Sequence, residues 1–577
     1  MKTEVQLPAS TSRGKWRSFV SSRFFVYVLI APLFLILFAY VIYPFYQTFL
    51  ESLRVGGSIS LENYARFFSL KHNANLEALW NSVYISVISV ITCGIVGVAM
   101  AFLLERYDFP GRKLLSVLVL VPMSLPPLIG VLSFSFLYSE SGIVPRLLRD
   151  ILHLKQVPFS LTGILGVIVV HTFTMYPYFY MTASAAIKGL DPSLEEAAAS
   201  LGAGRVYIWR RVILPMLTPA MVAASLLVFM ISMASYTAPL IYGIERTLTM
   251  QIYLSRTNGS LDMAATQSTI LSIVSILFLL LMRWYQGVRN YQNASKGISV
   301  HRTEVRSPVG KILTAVASFI GVIILLLPIF VLVLLSFAED GAWTTTTFPT
   351  AYTFQHYLDL FTNSRTWRPV WNSIQMSFLA TIGNLIFGVA AAYAMVRLKF
   401  KGKALLDILI MIPWALPGTV VAVNLIAAFS TKNIFGFNTV LVGTFWILPL
   451  AYFVRHLPLV FRSTSATLMQ MDASIEEAAR NLGASWWYSF RRVVFPVALS
   501  GILAGTLLAL VQGIGEFVAS ILLYTSRTVP ISVEIFQRMY AFEFGTACAY
   551  GVLQIILIIL VLYISRWLTG EASTAAV

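Results

Sequence analysis

Residues 195–219 read EEAAASLGAGRVYIWRRVILPMLTP, and residues 476–500 read EEAARNLGASWWYSFRRVVFPVALS. In both, a glutamate pair is followed at one spacing by a glycine, an arginine pair and a proline. These residue types suit contact rather than catalysis. Asp191-Pro192 and Asp472-Ala473 stand where an N-cap and first helical residue belong. The glutamates then fall in the first turns, where negative charge is favoured. Alanines continue the helix, and Gly202 or Gly483 stops it. A helix of about 8 residues is about 12 Å long and marginal in water, so something must pack on it. Two copies with matched spacing point to a shared external contact, not to an elbow that packs only on its own chain.

A second candidate lies in Gln512-Gly513-Ile514-Gly515-Glu516-Phe517. The surrounding sequence is apolar enough to be a membrane span. A carboxylate at mid-membrane costs at least about 2.5–3.5 kcal/mol, so Glu516 is expected to face a cavity or a partner. The matching stretch Ser232–Thr237 is uncharged, and its Tyr236 is the candidate partner from the other half; the alternatives are that Glu516 pairs structurally with a span-end arginine or lies shallower than mid-membrane. Prolines 122, 126 and 127 in one predicted span match Pro413 and Pro417 in another. Such kinks are tolerated where backbone lines protein or water, so Pro122, Pro126, Pro413, Pro417, Tyr236, Gln512 and Glu516 are candidate path residues. No Gly-x-x-x-x-Gly-Lys-[Ser/Thr] phosphate cradle is present in the sequence, and no His-Glu-x-x-His. The six histidines are scattered, and Cys93 and Cys548 are isolated. The chain is therefore expected to have no ATPase or other catalytic site. Whether it holds a metal stays open.

The elements that position these residues follow from composition. Of 577 residues, 58% are hydrophobic and 11% charged, against about 25% charged in soluble domains. Apolar runs of about 20 residues recur along the whole chain. Twelve spans are expected near 24–48, 79–104, 114–138, 161–184, 213–240, 264–284, 312–337, 371–396, 405–429, 440–461, 493–524 and 546–566. The fold class is thus all-α and polytopic. The charge of +16 could suggest nucleic acid. The basic residues instead sit in short segments between spans, mostly on the side of the N-terminus, as the positive-inside bias requires. Arg455 lies inside a span. The run from Phe24 to Tyr46 is too long for a signal core and no small-residue cleavage site follows it. The phrase LWNSVYISVISVITCGIVGVAMAFLLERYDFPGRKLL at 79–115 has its counterpart in VWNSIQMSFLATIGNLIFGVAAAYAMVRLKFKGKALL at 370–406. The copies run in one order with an even number of spans each, so the halves are parallel repeats. They are expected at 24–284 and 312–566, with a cytoplasmic N-terminal segment 1–23, linker 285–311 and tail 567–577.

The repeated phrase resembles the Glu-Ala-Ala loop of binding-protein-dependent ABC permeases, the type I importers. That loop runs Glu-Ala-Ala, three residues, Gly, then about nine residues to Leu-Pro. Here it is Glu196-Ala197-Ala198, Gly202, Leu214-Pro215, and Glu477-Ala478-Ala479, Gly483, Phe495-Pro496. The second copy departs only at Leu. The resemblance implies a coupling helix seated in an ATPase groove, a role carried to Glu196, Ala197, Gly202, Glu477, Ala478 and Gly483, with Glu195 and Glu476 beside them. It implies two ATPase subunits binding ATP and Mg on the cytoplasmic side, a soluble substrate-binding protein outside, and a bacterial inner-membrane location with both termini cytoplasmic. Fused two-half permeases of this kind are most like the ferric-iron, thiamine and aminoethylphosphonate importers. Ferric iron is the expected solute, with polyamine, thiamine or phosphonate as alternatives. A secondary transporter driven by an ion gradient would also have parallel halves, but has no reason to repeat the elbow.

Overall fold

The computed structural model describes residues 23–70, 74–190, 192–288, 303–304, 308–343 and 346–569. The expected N-terminal segment, most of the linker and most of the tail lie outside the described residues, as does the Asp191 cap. Among the described residues, ten helices are long and apolar enough to cross a membrane, and a bent helix pair raises this to eleven. The first half runs through α1 (Val26–Ser52), α2 (Ala74–Arg106), α3 (Arg112–Leu118), α4 (Pro127–Tyr138), α5 (Gly163–Lys188), the short elbow helix α6 (Pro192–Ser200), α7 (Val206–Met233) and α8 (Leu261–Val288). The second half repeats this order in α9 (Pro308–Leu335), α10 (Ser364–Arg397), α11 (Lys403–Ala415), α12 (Gly418–Phe429), α13 (Ile447–Gln470), elbow helix α14 (Ala473–Asn481) and α15 (Trp486–Ile514). A short helix, α16 (Ile531–Tyr540), precedes the last span, α17 (Phe544–Thr569). Among the described residues, strand is confined to two-residue pairs, Arg54–Val55 antiparallel to Ser58–Ile59 and Tyr107–Asp108 parallel to Thr303–Glu304.

Five expected spans differ in shape. Those at 114–138 and 405–429 are broken at their prolines. A residue before proline is driven out of the helical region. Leu125 and Leu416 accordingly sit at ψ 137° and 135°, and α11 and α12 meet at 108°. The span expected at 440–461 begins only at Ile447 and runs to Gln470. Its arginines at 455 and 462 make it less apolar than the ten spans. The span expected at 493–524 stops at Ile514, where Gly515 follows, just as α7 stops at Met233 rather than reaching residue 240.

The halves are interlocked. α1 packs across onto the second half, with Tyr43 and Phe435 rings 5.0 Å apart and the Tyr40 hydroxyl donating to the Phe435 carbonyl at 3.3 Å. The equivalent helix α9 packs onto α4 of the first half, where Val331, Leu332 and Leu335 share a core with Leu128, Ile129 and Leu132. Each first span therefore braces the bent span of the other half.

Candidate functional site: two elbows and a charged centre between the halves

Each elbow helix is tied back to the end of the second span of its own half. In the first half, Arg106 at the end of α2 forks onto the Glu195 carboxylate, one contact being 2.6 Å. In the second half, the equivalent Arg397 lies 3.7 Å from Glu476 and donates to the Met471 carbonyl at 3.0 Å. Glu476 is buried and also accepts from the Tyr393 hydroxyl at 2.8 Å, which in turn accepts from Trp486 Nε1 at 2.9 Å. An arginine–carboxylate fork holds an angle as well as a distance. The Arg–Glu tie was legible in the aligned phrases, where Arg106 and Arg397 occupy one column, yet sequence reasoning did not single it out.

The first glutamate of each pair thus points inward as an anchor. The second ones, Glu196 and Glu477, are exposed, as are Ala197, Ala478, Gly202 and Gly483. Asp472 caps α14 as expected, accepting from the Ser474 N–H at 2.9 Å, and this bond holds its carboxyl below the usual range. Gly202 and Gly483 turn the chain at φ +82° and +92°, a region that costs other residues about 1–2 kcal/mol. The turn thrusts out Leu201 and Leu482, 89% and 91% exposed. Val206, Tyr207, Trp487 and Tyr488 lie exposed beside them. Nothing among the described residues covers this apolar surface.

Of the other candidate residues, Tyr236 and Pro126 lie against the segment around Glu516 where the halves touch. Glu516 is not inside a span, as expected from sequence, but in the break after α15. It is buried, and its partner is Arg455 of α13 in the same half, 2.9 Å away, not Tyr236. His456 Nε2 lies 3.6 Å from the carboxylate, and the Ala519 N–H donates to it at 2.9 Å. Arg455 was visible in the sequence as a charge inside a span. Its pairing required knowing that α13 and the end of α15 lie side by side. The backbone carbonyl of Glu516 accepts from Ser520 and Ser532, both at 2.8 Å.

Tyr236 instead packs its ring 6.2 Å from Phe517. These two occupy equivalent positions in the two halves, and equivalent residues that touch lie on the axis relating them. Beside them, a Cβ on Gly515 would sit 3.4 Å from Pro126 of the other half. Pro122, Pro126, Pro413 and Pro417 are all buried in the bends. Pro413 lines a small cavity against Tyr40, Val41 and Pro44 of α1. Gln512 is exposed on α15. In the first half, the place of Glu516 is taken by Ser235, whose hydroxyl lies 2.8 Å from His171 Nε2. That buried histidine also meets Ser89 and Ser232, both at 3.1 Å. It forms a buried polar cluster with these three serines.

Comparison with known proteins decides the class. The family model described as "Binding-protein-dependent transport system inner membrane component" matches twice, over residues 93–289 and 384–570. The chain belongs to this family.

As a permease it has relatives along its whole length. A probable ABC transporter permease protein, y4fN of Sinorhizobium fredii, is 30% identical over 79% of this chain and 81% of its own. The ferric transport system permease protein FbpB of Actinobacillus pleuropneumoniae is 26% identical over 98% of this chain and 81% of its own. The molybdenum transport system permease protein ModB of Escherichia coli is 33% identical over 35% of this chain but 93% of its own. One half of this permease thus matches nearly a whole single-unit relative. The chain is a multi-pass inner-membrane permease of an ABC importer, built from two fused family units.

Proposed function

We propose that this permease forms the translocation path of a ferric-iron importer, with an ATPase subunit seated on each elbow and a soluble binding protein delivering solute from the opposite side. The elbows would face the cytoplasm, with both termini on that side. The chain itself would hydrolyse no ATP, and ATP and Mg would be bound by its partners. The solute rests on the ferric transport relatives that run the length of the chain. The observation carrying the coupling role is the pair of uncovered leucines, Leu201 and Leu482, held at matching corners by matching Arg–Glu ties.

Burying one leucine side chain contributes about 1.5–3 kcal/mol, which is about 10- to 100-fold in affinity per elbow. Leu201→Asp with Leu482→Asp should therefore abolish co-purification of the ATPase subunit while the permease still inserts. ATP-driven accumulation of radiolabelled iron in proteoliposomes should be lost with it. Wild-type uptake by the double variant would remove the coupling reading. Accumulation of thiamine, a polyamine or a phosphonate in place of iron would replace the solute and leave the coupling reading standing.

A further inference from the structure

Packing accounts for two faces of α13. Phe453 and Val460 pack on the glycines of α10 at 383 and 388, and Ser463 and Thr467 pack on those of α15 at 505 and 501. The remaining face is Arg455, Leu459, Arg462 and Ala466, spaced as one side of a helix. All four are partly or fully exposed. Arg455 and Arg462 lie seven residues apart, about 10 Å along the axis. An arginine turned to lipid is costly, so a face with two of them borders water or protein. Each guanidinium is backed by a carboxylate from a neighbouring element: Glu516 at 2.9 Å from Arg455, and Asp407 of α11 at 3.3 Å from Arg462. In each pair the cation is the more accessible partner, with side-chain exposures of 23% against 6% and 50% against 20%. A guanidinium has five N–H donors, and a carboxylate on one edge leaves others over, of which Arg462 gives its Nε–H to the Met411 sulfur at 3.3 Å.

The equivalent face of α5 in the first half is Thr174, Tyr178, Met181 and Ala185, also accessible and without charge. The charged strip reaches the contact of Tyr236 with Phe517 through Arg455, whose partner Glu516 is the neighbour of Phe517. Of these two described strips, only that of α13 carries charge, and its exposed sign is positive.

We propose that Arg455 and Arg462 form a relay for negatively charged oxygen groups along the path. The solute passes with such a group turned to α13. The group is either a free oxyanion or the oxyanion or carboxylate ligand of a ferric ion, and a bare trivalent cation is disfavoured. Glu516 and Asp407 are positioning residues that fix the guanidinium planes. The inference deepens the importer reading and rests on it for the direction of transport.

Leu459 stands one turn from each arginine, so a cysteine there reports the local field. The buried Cys93 and Cys548 provide an unreactive background. In the assembled importer in proteoliposomes, Leu459→Cys should react with a sulfonate-bearing methanethiosulfonate about 5-fold faster than with its trimethylammonium counterpart, because fixed surface charge concentrates the opposite ion. Tyr178→Cys should show no preference. Adding Arg462→Gln, at a half-exposed position, should bring the Leu459→Cys ratio near one. An unreactive Leu459→Cys, or equal rates with both reagents, overturns the relay. The source of the anion is read separately by uptake. Accumulation of iron from ferric citrate assigns the group to the metal's ligands, and accumulation of radiolabelled sulfate assigns it to a free oxyanion. If neither accumulates, the solute reading fails while the labelling ratio still decides the relay.

Discussion

The Arg455–Glu516 pair should be lopsided in its contribution to stability, and the structure says in which direction. Arg455→Gln leaves a carboxylate that is 6% exposed without its counter-ion. Breaking a buried pair this way costs about 3–5 kcal/mol. The Ala519 N–H and His456 remain in place, which puts the expected cost near the lower end, about 3 kcal/mol. Glu516→Gln instead strands a guanidinium whose side chain is 23% exposed. Water reaches it, and the new amide oxygen still accepts from Arg455 and the Ala519 N–H. That change should cost about 1–2 kcal/mol. The double variant removes both charges and should recover most of the loss seen with Arg455→Gln. Unfolding of a membrane protein this size is irreversible, so the measure is the half-life of the monodisperse peak in detergent at fixed temperature. The order should be wild type, then Glu516→Gln and the double variant together, then Arg455→Gln. Two results refute the reasoning: Glu516→Gln shorter-lived than Arg455→Gln, or a double variant worse than both singles.

Gly202→Asn and Gly483→Asn should transport nearly as wild type, because asparagine tolerates left-handed backbone, whereas valine at either position should cost about 1–2 kcal/mol in the elbow and depress solute-driven ATP hydrolysis with insertion intact. At Gly202 a Cβ meets nothing within 4 Å, so a valine defect there reports backbone conformation and not a clash; equal transport by the asparagine and valine variants would contradict this. Gly418→Ala places a Cβ 1.8 Å from the Arg455 guanidinium and should shorten the half-life in a wild-type background but little in Arg455→Gln, and additive losses would show that the collision is relieved elsewhere.

The elbows were readable because their chemistry is local. A cap, alanines, a positive-φ glycine and a basic segment follow one another in the chain, and a second copy supplies the control. The proline bends were readable as kinks for the same reason, although their size, 108° between α11 and α12, depends on what α1 and α13 pack against. The charged centre was not readable. Glu516 and Arg455 are 61 residues apart, and their pairing is set by α13 lying along α15 through the glycines at 501 and 505. Hydropathy also carried the expected span through Gly515 to residue 524. Residues 517–523 are apolar because they are packed between the halves, not because they cross lipid. Phe517, Ala519, Ile521 and Leu523 are all buried.

The unequal strips give a physical reason for carrying both halves in one chain. The frame is symmetric: first spans cross over, Arg–Glu ties match, and Tyr236 meets Phe517 on the axis. The lining is not. Two copies of the second half would place Arg455 and Arg462 on both walls and face guanidinium against guanidinium across a narrow path, where like charges repel and hold a bound anion too tightly to release it. Two copies of the first half would offer Thr174, Tyr178 and Met181 on both walls and no charge at all. Only the mixed pair gives one binding wall and one neutral wall. Separate chains with such similar frames and interlocking first spans would form all three combinations. The covalent link removes that choice, because the partner's half is present at high effective concentration before any second chain arrives. Specificity here is set by excluding the wrong pairing as much as by favouring the right one.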